Sequence, residues 1–417
     1  MKLSGTIKLR GDKSISHRAL MIASIIKGQS KIKNISLCED VKSTINALKM
    51  CNIEIRKNKD TIVVLGGTIT RPVNTLDLQN SGTTARLLLG LLAGQNISAD
   101  LIGDSSLSKR PMDRIIKPLK LMGAQITSNN NKLPIKLIKG VTKNISYKKN
   151  INSAQIKSAL MFASMNLNEE SEIFYNKDTR DHTERLLHYL NKYSYRKTSE
   201  KILIKKDLMN QKMNIEIPGD VSNAAFIIAG AILIKGSNIT IKNVLYNKTR
   251  NGFINLLIQM GAKINIGNIR AVPGGESACD ISVKYSGRLK SPDIKIDNII
   301  PLIDEIPILA VLSTQFNGEI SIKNANELKF KESDRIKAIY DNLSKMGADI
   351  KEIKGGLKIV GGKRLYNTNI NHFGDHRIAM SFDILSLYKN QRFPNYSGNL
   401  AKISFPEFQQ MLQKLIK

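Results

Sequence analysis

The chain has 417 residues, 41% of them hydrophobic, and carries 64 Lys and Arg against 35 Asp and Glu, a formal charge of +29. That length is long for one hydrophobic core and suits two domains. The longest apolar run, 224–234, ends at Lys235 and falls short of the roughly 18 residues that a membrane span needs, the first residues lack the apolar core of a signal peptide, and three cysteines without a CxxC pair argue against a disulfide framework or a zinc site.

These features predict a soluble protein of the reducing cytoplasm with no metal. A charge of +29 is often the mark of a nucleic-acid-binding protein. Here the lysines are spread along the chain, there is no Trp, and no RNA-binding aromatic motif or basic helical arm is found. The basic residues that sit in glycine- and serine-bearing turns point instead to small anionic ligands.

Two kinds of signal recur along the chain. The first is a small or polar cluster running into an apolar stretch, which predicts a capped helix N-terminus. It occurs at Gly11-Asp-Lys-Ser, Asn80-Ser-Gly-Thr, Asn152-Ser-Ala-Gln, Pro218-Gly-Asp-Val, Ile303-Asp-Glu-Ile-Pro and Gly374-Asp-His-Arg. The second is a Leu-rich helical stretch closed by Gly or Asn, the residues that tolerate a left-handed helix end. Strong copies are Leu119-Lys-Leu-Met-Gly-Ala-Gln-Ile126, Leu257-Ile-Gln-Met-Gly-Ala-Lys-Ile264 and Leu343-Ser-Lys-Met-Gly-Ala-Asp-Ile350, each followed by a strand-like alternation. Weaker copies begin at Leu48 and at Leu187, the latter running to Ser194. Both series repeat at roughly 70 to 85 residues, so six stacked supersecondary units fill the length. The predicted fold is α/β with three units per domain. The boundary falls at Ile217-Pro218-Gly219-Asp220, giving domains of residues 11–218 and of residues 1–10 plus 219–417.

The clusters near 13, 82, 154, 304 and 375 hold more charge and amide than a cap requires. Helix N-termini attract anions through their N–H groups and dipole, so several aimed at one cleft would form a receptor for phosphates and carboxylates. Lys13 and Ser14 fall in the first such turn, and Arg18 one helical turn later, so the three can face one ligand. Gly82 lies in a tight polar turn, Asn80 to Thr83, and would let a ligand approach the backbone. Arg110 can grip a carboxylate or phosphate bidentately, and Arg180 is placed to reach a phosphate. Residues 179–184 mix Asp, His and Glu but lack the i, i+4 His pair of a zincin, so no metal is expected. Asp304 and Glu305 open one helix, and Lys331, Glu332 and Arg335 precede or begin another.

The motifs GDKSISHRA at 11–19, NSGTTARL at 80–87, SLSKRPM at 106–112, NSAQIKSALM at 152–161, TRDHTE at 179–184, LIDEIP at 302–307, ELKFKESDRI at 327–336 and GDHRIAM at 374–380 resemble those of the 5-enolpyruvylshikimate-3-phosphate (EPSP) synthase family, in order and over nearly the whole chain. The resemblance implies two domains of three βαβαββ repeats each, an inside-out α/β barrel fold, with the active site in the cleft between them. It implies enolpyruvyl transfer from phosphoenolpyruvate to the 5-hydroxyl of shikimate 3-phosphate by addition and elimination, by a monomer, without cofactor, membrane or nucleic acid, and with sensitivity to glyphosate, which competes with phosphoenolpyruvate. Carried over by the motifs, shikimate 3-phosphate would be held by Lys13, Ser14, Arg18, Ser153, Ala154, Gln155, Thr179 or Arg180, Asp304 and Lys331. Phosphoenolpyruvate would be held by Lys13, Gly82, Arg110, Gln155, Arg335, Arg377 and Lys402. Asp304 would be the base, with Glu332 and Lys13 as proton donors and relays. Ala154 stands where some members have Ser, leaving only its backbone to bind. The alternatives are a UDP-N-acetylglucosamine enolpyruvyl transferase, whose usual N-terminal Lys-Asn and loop Cys are missing here, and a basic nucleic-acid-binding protein.

Overall fold

In the computed structural model, which describes residues 1–190, 195–206, 212–389 and 396–417, each of the six capping clusters opens an α-helix. They are Lys13–Ile25, Gly82–Gly94, Ala154–Ser164, Val221–Leu233, Ile306–Ser313 and His376–Tyr388. The side chains of Asp12, Ser81, Asp220 and Asp375 accept backbone N–H groups of the turn they cap. Ser153 and Glu305 make no such cap bond. These helices are apolar on nearly every face, as suits a helix without a solvent side. All of Val221–Leu233 and Ile306–Ser313 is buried, as is Lys157–Ser164 of the third helix. A second set, including Glu39–Met50, Asp113–Leu121, Arg335–Lys345 and Phe408–Leu415, alternates buried and exposed residues along its length. The Gly residues of the three strong helix-end copies, Gly123, Gly261 and Gly347, have φ of 92°, 88° and 81°, and Asn52 has 64°. These are left-handed ends that Gly enters without a Cβ penalty. The copy beginning at Leu187 reaches residues 191–194, which lie outside the described residues.

The chain divides into two compact units: Arg10–Pro218 with Ala271–Glu276, and Met1–Leu9 with Gly219–Arg270 and Ser277–Lys417. In the first, three four-stranded sheets share one pattern, a parallel pair followed by an antiparallel hairpin. Leu76–Asp77 pairs parallel with Ala99–Ile102, which pairs antiparallel with Lys132–Lys139, and that strand with Gln125–Asn129. Ser146–Ile151, Ser171–Tyr175, Lys201–Ile204 and Tyr195–Lys197 repeat the order. So do Asn214–Glu216, Gly28–Lys33, Thr61–Gly66 and Glu54–Asn58, although here the first strand comes from the far end of the unit. A buried helix crosses over each of the first two parallel pairs and an outer helix precedes each hairpin, which is the βαβαββ repeat. Strands such as Lys132–Lys139 bury alternate residues and leave the others exposed.

The second unit holds two sheets of the same kind among the described residues. One runs Ser4–Lys8, Asn238–Leu245, Glu276–Lys284, Ile264–Val272; the other Lys290–Ile296, Asn317–Ile322, Gly356–Val360, Asp349–Ile353. Ser4–Lys8 supplies the parallel strand that Asn238–Leu245 lacks locally, as Asn214–Glu216 does for Gly28–Lys33. Of the sixth repeat, the described residues include the helices His376–Tyr388 and Phe408–Leu415; residues 390–395 lie outside them. No helix among the described residues is long and apolar enough to cross a membrane.

In the Arg10–Pro218 unit the helices Gly82–Gly94 and Ala154–Ser164 touch through glycine. A Cβ on Gly90 would stand 2.3 Å from the carbonyl oxygen of Ala159, and one on Gly94 would stand 2.5 Å from that of Phe162. Backbone atoms cannot step aside as a flexible side chain can, so Gly90→Ala is an overpacking change. It should destabilise the protein by about 1–3 kcal/mol, read as a lower denaturant midpoint at unchanged m-value. A midpoint equal to that of the parent would show that the helices do not meet at Gly90.

Candidate active site

The buried helices of the Arg10–Pro218 unit bring their N-terminal turns together, and Arg18, on the first, ties it to the third and to the outer helix His182–Tyr189. Its Nε lies 3.2 Å from Ser158 Oγ and 3.0 Å from Thr183 Oγ1, one terminal nitrogen donates to the Ser14 carbonyl at 2.9 Å, and the other to Ser158 Oγ at 2.9 Å and the Ala154 carbonyl at 3.3 Å. Gln155 Nε2 donates to Thr83 Oγ1 at 3.1 Å, bridging the second and third helices. Lys13, the first helical residue, lies 2.7 Å from Asp40 Oδ2. His17 is buried with Nδ1 2.7 Å from Thr44 Oγ1. Burial, aided by the charges of Lys13 and Arg18, holds its pKa well below the usual value, so it stays neutral at pH 7.

Gly82, placed by the sequence in a turn, is instead the first residue of its helix, and its φ is not positive. Its importance is space. A Cβ there would stand 2.7 Å from a terminal nitrogen of Arg86 and 3.2 Å from one of Arg110. Arg110 is buried, and donates to Asn80 Oδ1 at 2.6 Å and Ser106 Oγ at 3.1 Å. Arg86 grips the Gly82 carbonyl at 3.2 Å and that of Pro111 at 3.3 Å. Ser153, Ala154 and Gln155 are half-buried at the start of their helix. Thr179 is buried with its hydroxyl turned to the carbonyls of Ile151 and Asn176, whereas Arg180 is half-buried.

In the second unit the predicted residues meet around one arginine. Arg335 is buried, and its Nε lies 2.8 Å from Asp375 Oδ2, with one terminal nitrogen 2.6 Å from Glu332 Oε2 and 3.3 Å from Asp375 Oδ1. The other terminal nitrogen is 3.7 Å from Asp304 Oδ1. Lys331 Nζ is 3.4 Å from the same Asp304 oxygen, and Arg377 donates to the Asp304 carbonyl at 3.1 Å. Burial pushes the Asp375 carboxyl up most strongly, but the charge and hydrogen bond of Arg335 and the charge of His376 together hold the group below the usual carboxylate range. Lys402 is exposed, on the 3-10 helix Gly398–Ile403.

The sequence reading missed the groups that hold these cations. Asp40 and Asp375 are buried carboxylates paired with Lys13 and Arg335; Asp375 was legible only as a helix cap. Lys157 and Glu184 form a fully buried ion pair, 2.5 Å apart. A charged residue on the buried face of an apolar helix was the one available signal for Lys157.

The family model described as EPSP synthase (3-phosphoshikimate 1-carboxyvinyltransferase) matches residues 1–412. The chain belongs to the EPSP synthase family. Curated relatives named 3-phosphoshikimate 1-carboxyvinyltransferase include one from Thermodesulfovibrio yellowstonii, 44% identical with 100% of this chain and 98% of that one covered. Another, from Oceanobacillus iheyensis, is 41% identical with 100% and 97% covered. The solved EPSP synthase of Acinetobacter baumannii superposes with a TM-score of 0.84 at 34% identity, covering 99% of this chain and 96% of that one. The enolpyruvyl transferase NikO of Streptomyces tendae, at 13% identity and TM-score 0.73 over 99% and 95%, shares the fold. The chain thus has the enolpyruvyl transferase fold, an inside-out α/β barrel architecture of repeated βαβαββ units.

The segment that leads to Lys402 hangs on one carboxylate. Asp383 accepts the backbone N–H groups of Tyr396 at 2.8 Å and Ser397 at 3.1 Å, and Gln409 Nε2 at 3.3 Å. Burial pushes its pKa up to about 6, against the pull of those donors. A carboxyl raised above its unfolded value of roughly 3.9 contributes stability at low pH that is lost as pH rises through about 6. Relative to Asp383→Asn, the parent should therefore lose on the order of 2–3 kcal/mol of unfolding free energy between pH 4 and 7.5. Denaturant titrations of both proteins at several pH values measure this; a constant difference would mean that Asp383 does not titrate in that window.

Proposed function

We propose that this chain transfers the enolpyruvyl group of phosphoenolpyruvate to the 5-hydroxyl of shikimate 3-phosphate, a step of the shikimate pathway, with the side chains described above in the following roles. Each substrate carries a phosphate of about −1.5 to −2 charge at neutral pH and a carboxylate. Lys13, Ser14, Arg18, Ser153, Gln155 and Arg180, with the backbone of Ala154, bind shikimate 3-phosphate on the Arg10–Pro218 side; Asp304 and Lys331 do so on the other. The hydroxyl of Thr179 faces inward, so Arg180 takes the phosphate-binding role of that pair. Lys13, Gly82, Arg110, Gln155, Arg335, Arg377 and Lys402 bind phosphoenolpyruvate. Residues 11–218 and residues 1–10 plus 219–417 act as the two working domains, each supplying one group of side chains. One chain carries every residue used, so the working form is a monomer. It needs no nucleic acid, and it acts in the cytoplasm.

The observation that carries the catalytic assignment is the setting of Asp304. Its carboxylate stands 3.4 Å from Lys331 and 3.7 Å from Arg335, while its carbonyl receives Arg377 at 3.1 Å. It is an acid facing three cations able to hold anionic substrates, the setting of a base aimed at the 5-hydroxyl. Protonation of the methylene carbon by Glu332 or Lys13, with attack by the 5-oxygen, gives a tetrahedral adduct. Loss of phosphate and of a methyl proton from that adduct restores the double bond and gives the enol ether product. The surrounding cations stabilise charge on the departing phosphate.

Phosphate should be released from phosphoenolpyruvate only when shikimate 3-phosphate is present; folded protein with no such release would remove the whole reading. Asp304→Asn should lower kcat by about 10²–10⁴-fold with smaller changes in KM, and near-normal turnover would take Asp304 out of the mechanism.

Gly82→Ala sets a methyl group against the Arg110 guanidinium. Glyphosate, longer than phosphoenolpyruvate, should lose more affinity than the substrate does, since specificity is a difference of two affinities. Inhibition constants and KM measured in both proteins test this, and equal weakening of both ligands would show that Gly82 does not line the phosphoenolpyruvate site.

A further inference from the structure

Lys157 lies one turn along the helix that begins at Ala154, and its side chain is fully buried. Three contacts receive its ammonium group: Glu184 Oε1 at 2.5 Å, the carbonyl of Thr179 at 3.3 Å, and the ring of Tyr175 at 4.6 Å from the centroid. All three belong to one stretch, the end of strand Ser171–Tyr175, the turn after it, and the first turn of helix His182–Tyr189. Burial pushes the lysine pKa down and the charge of Glu184 opposes this. Burying an ion pair is costly, and an apolar pair of similar volume commonly serves stability as well or better. What an apolar pair cannot do is hold a carbonyl by a directed hydrogen bond. The neighbouring Thr183 is held by Arg18 at 3.0 Å, so consecutive residues of the helix start are anchored by cations from two different buried helices. The peptide whose carbonyl Lys157 holds is the one that carries the backbone nitrogen of Arg180.

We propose that Lys157, paired with Glu184, is a positioning residue for shikimate 3-phosphate: it fixes the turn at 179–181 from behind and so aims Arg180 at the substrate phosphate. This rests on the assignment of Arg180 to that phosphate. Lys157 touches no substrate; it acts through the Thr179 carbonyl and the start of the helix.

Lys157→Met alone leaves Glu184 buried without its cation, so the decisive protein is the double variant Lys157→Met, Glu184→Gln, which removes both charges and keeps the volume. It should fold, and its KM for shikimate 3-phosphate should rise about tenfold, as expected when a binding group is misplaced by a fraction of an ångström. KM for phosphoenolpyruvate and kcat should each change less than about threefold by the same reasoning. A purely structural pair would alter the denaturation midpoint and leave the two KM values in their original ratio; that result would overturn the proposal. Arg180→Ala, measured alongside, separates the two layers. If it leaves the shikimate 3-phosphate KM unchanged, the assignment of Arg180 falls and the positioning role with it. If it raises that KM while the double variant does not, only the role of Lys157 is refuted.

Discussion

Two helices in the Arg10–Pro218 unit lie so close that glycine is the only residue that fits where they meet. Gly90 rests on the backbone of Ala159, and Gly94 on that of Phe162 and Ala163. Close approach along the axes fixes the position of both N-terminal turns, because a helix is stiff over thirteen residues or fewer. With the turns fixed, a side chain as short as Gln155 reaches Thr83, and Arg18 reaches Ala154 and Ser158 from the neighbouring helix. The polar constellation is thus a result of apolar packing behind it: small residues in the core decide where the cations stand.

The cations are also restrained electrostatically. Lys13 is held by Asp40, Lys157 by Glu184, and Arg335 by Asp375 and Glu332. Such buried carboxylates add little net stability once desolvation is counted. They do orient a flexible, charged side chain before any ligand arrives, which lowers the ordering cost of binding an anion. Arg335 shows this most fully, since its Nε and one terminal nitrogen are taken by carboxylates on two different elements.

Much of this was legible in the sequence because it is local. Capping clusters and left-handed Gly and Asn residues follow from short-range sterics, and they located the helix starts at 13, 82, 154, 221, 306 and 376 to within a few residues. The residue types at those starts, with their order along the chain, indicated the family. What could not be read was whatever depends on distant partners. Asp40 looks like an ordinary acid in the first turn of Glu39–Met50, and only the fold sets it against Lys13. Gly82 looked like a turn residue, whereas its lack of a side chain matters because of Arg86 and Arg110, four and 28 positions away.

The exchanged strands bear on how the chain acquires its structure as it is made. Ser4–Lys8 has its parallel partner at Asn238–Leu245, more than two hundred residues later, and Gly28–Lys33 waits for Asn214–Glu216. Emerging N-terminus first at about 5–20 residues per second, the opening strand would remain unpaired for on the order of ten seconds or more. The Arg10–Pro218 unit cannot lose Asn214–Glu216 without opening a sheet, and a fragment beginning at Gly219 lacks an edge strand that the first nine residues supply. Contacts of such long sequence separation slow folding, and an unfilled strand position is a template for the wrong chain. Five charged residues among the first thirteen, Lys2, Lys8, Arg10, Asp12 and Lys13, keep that waiting segment polar enough to discourage such pairing.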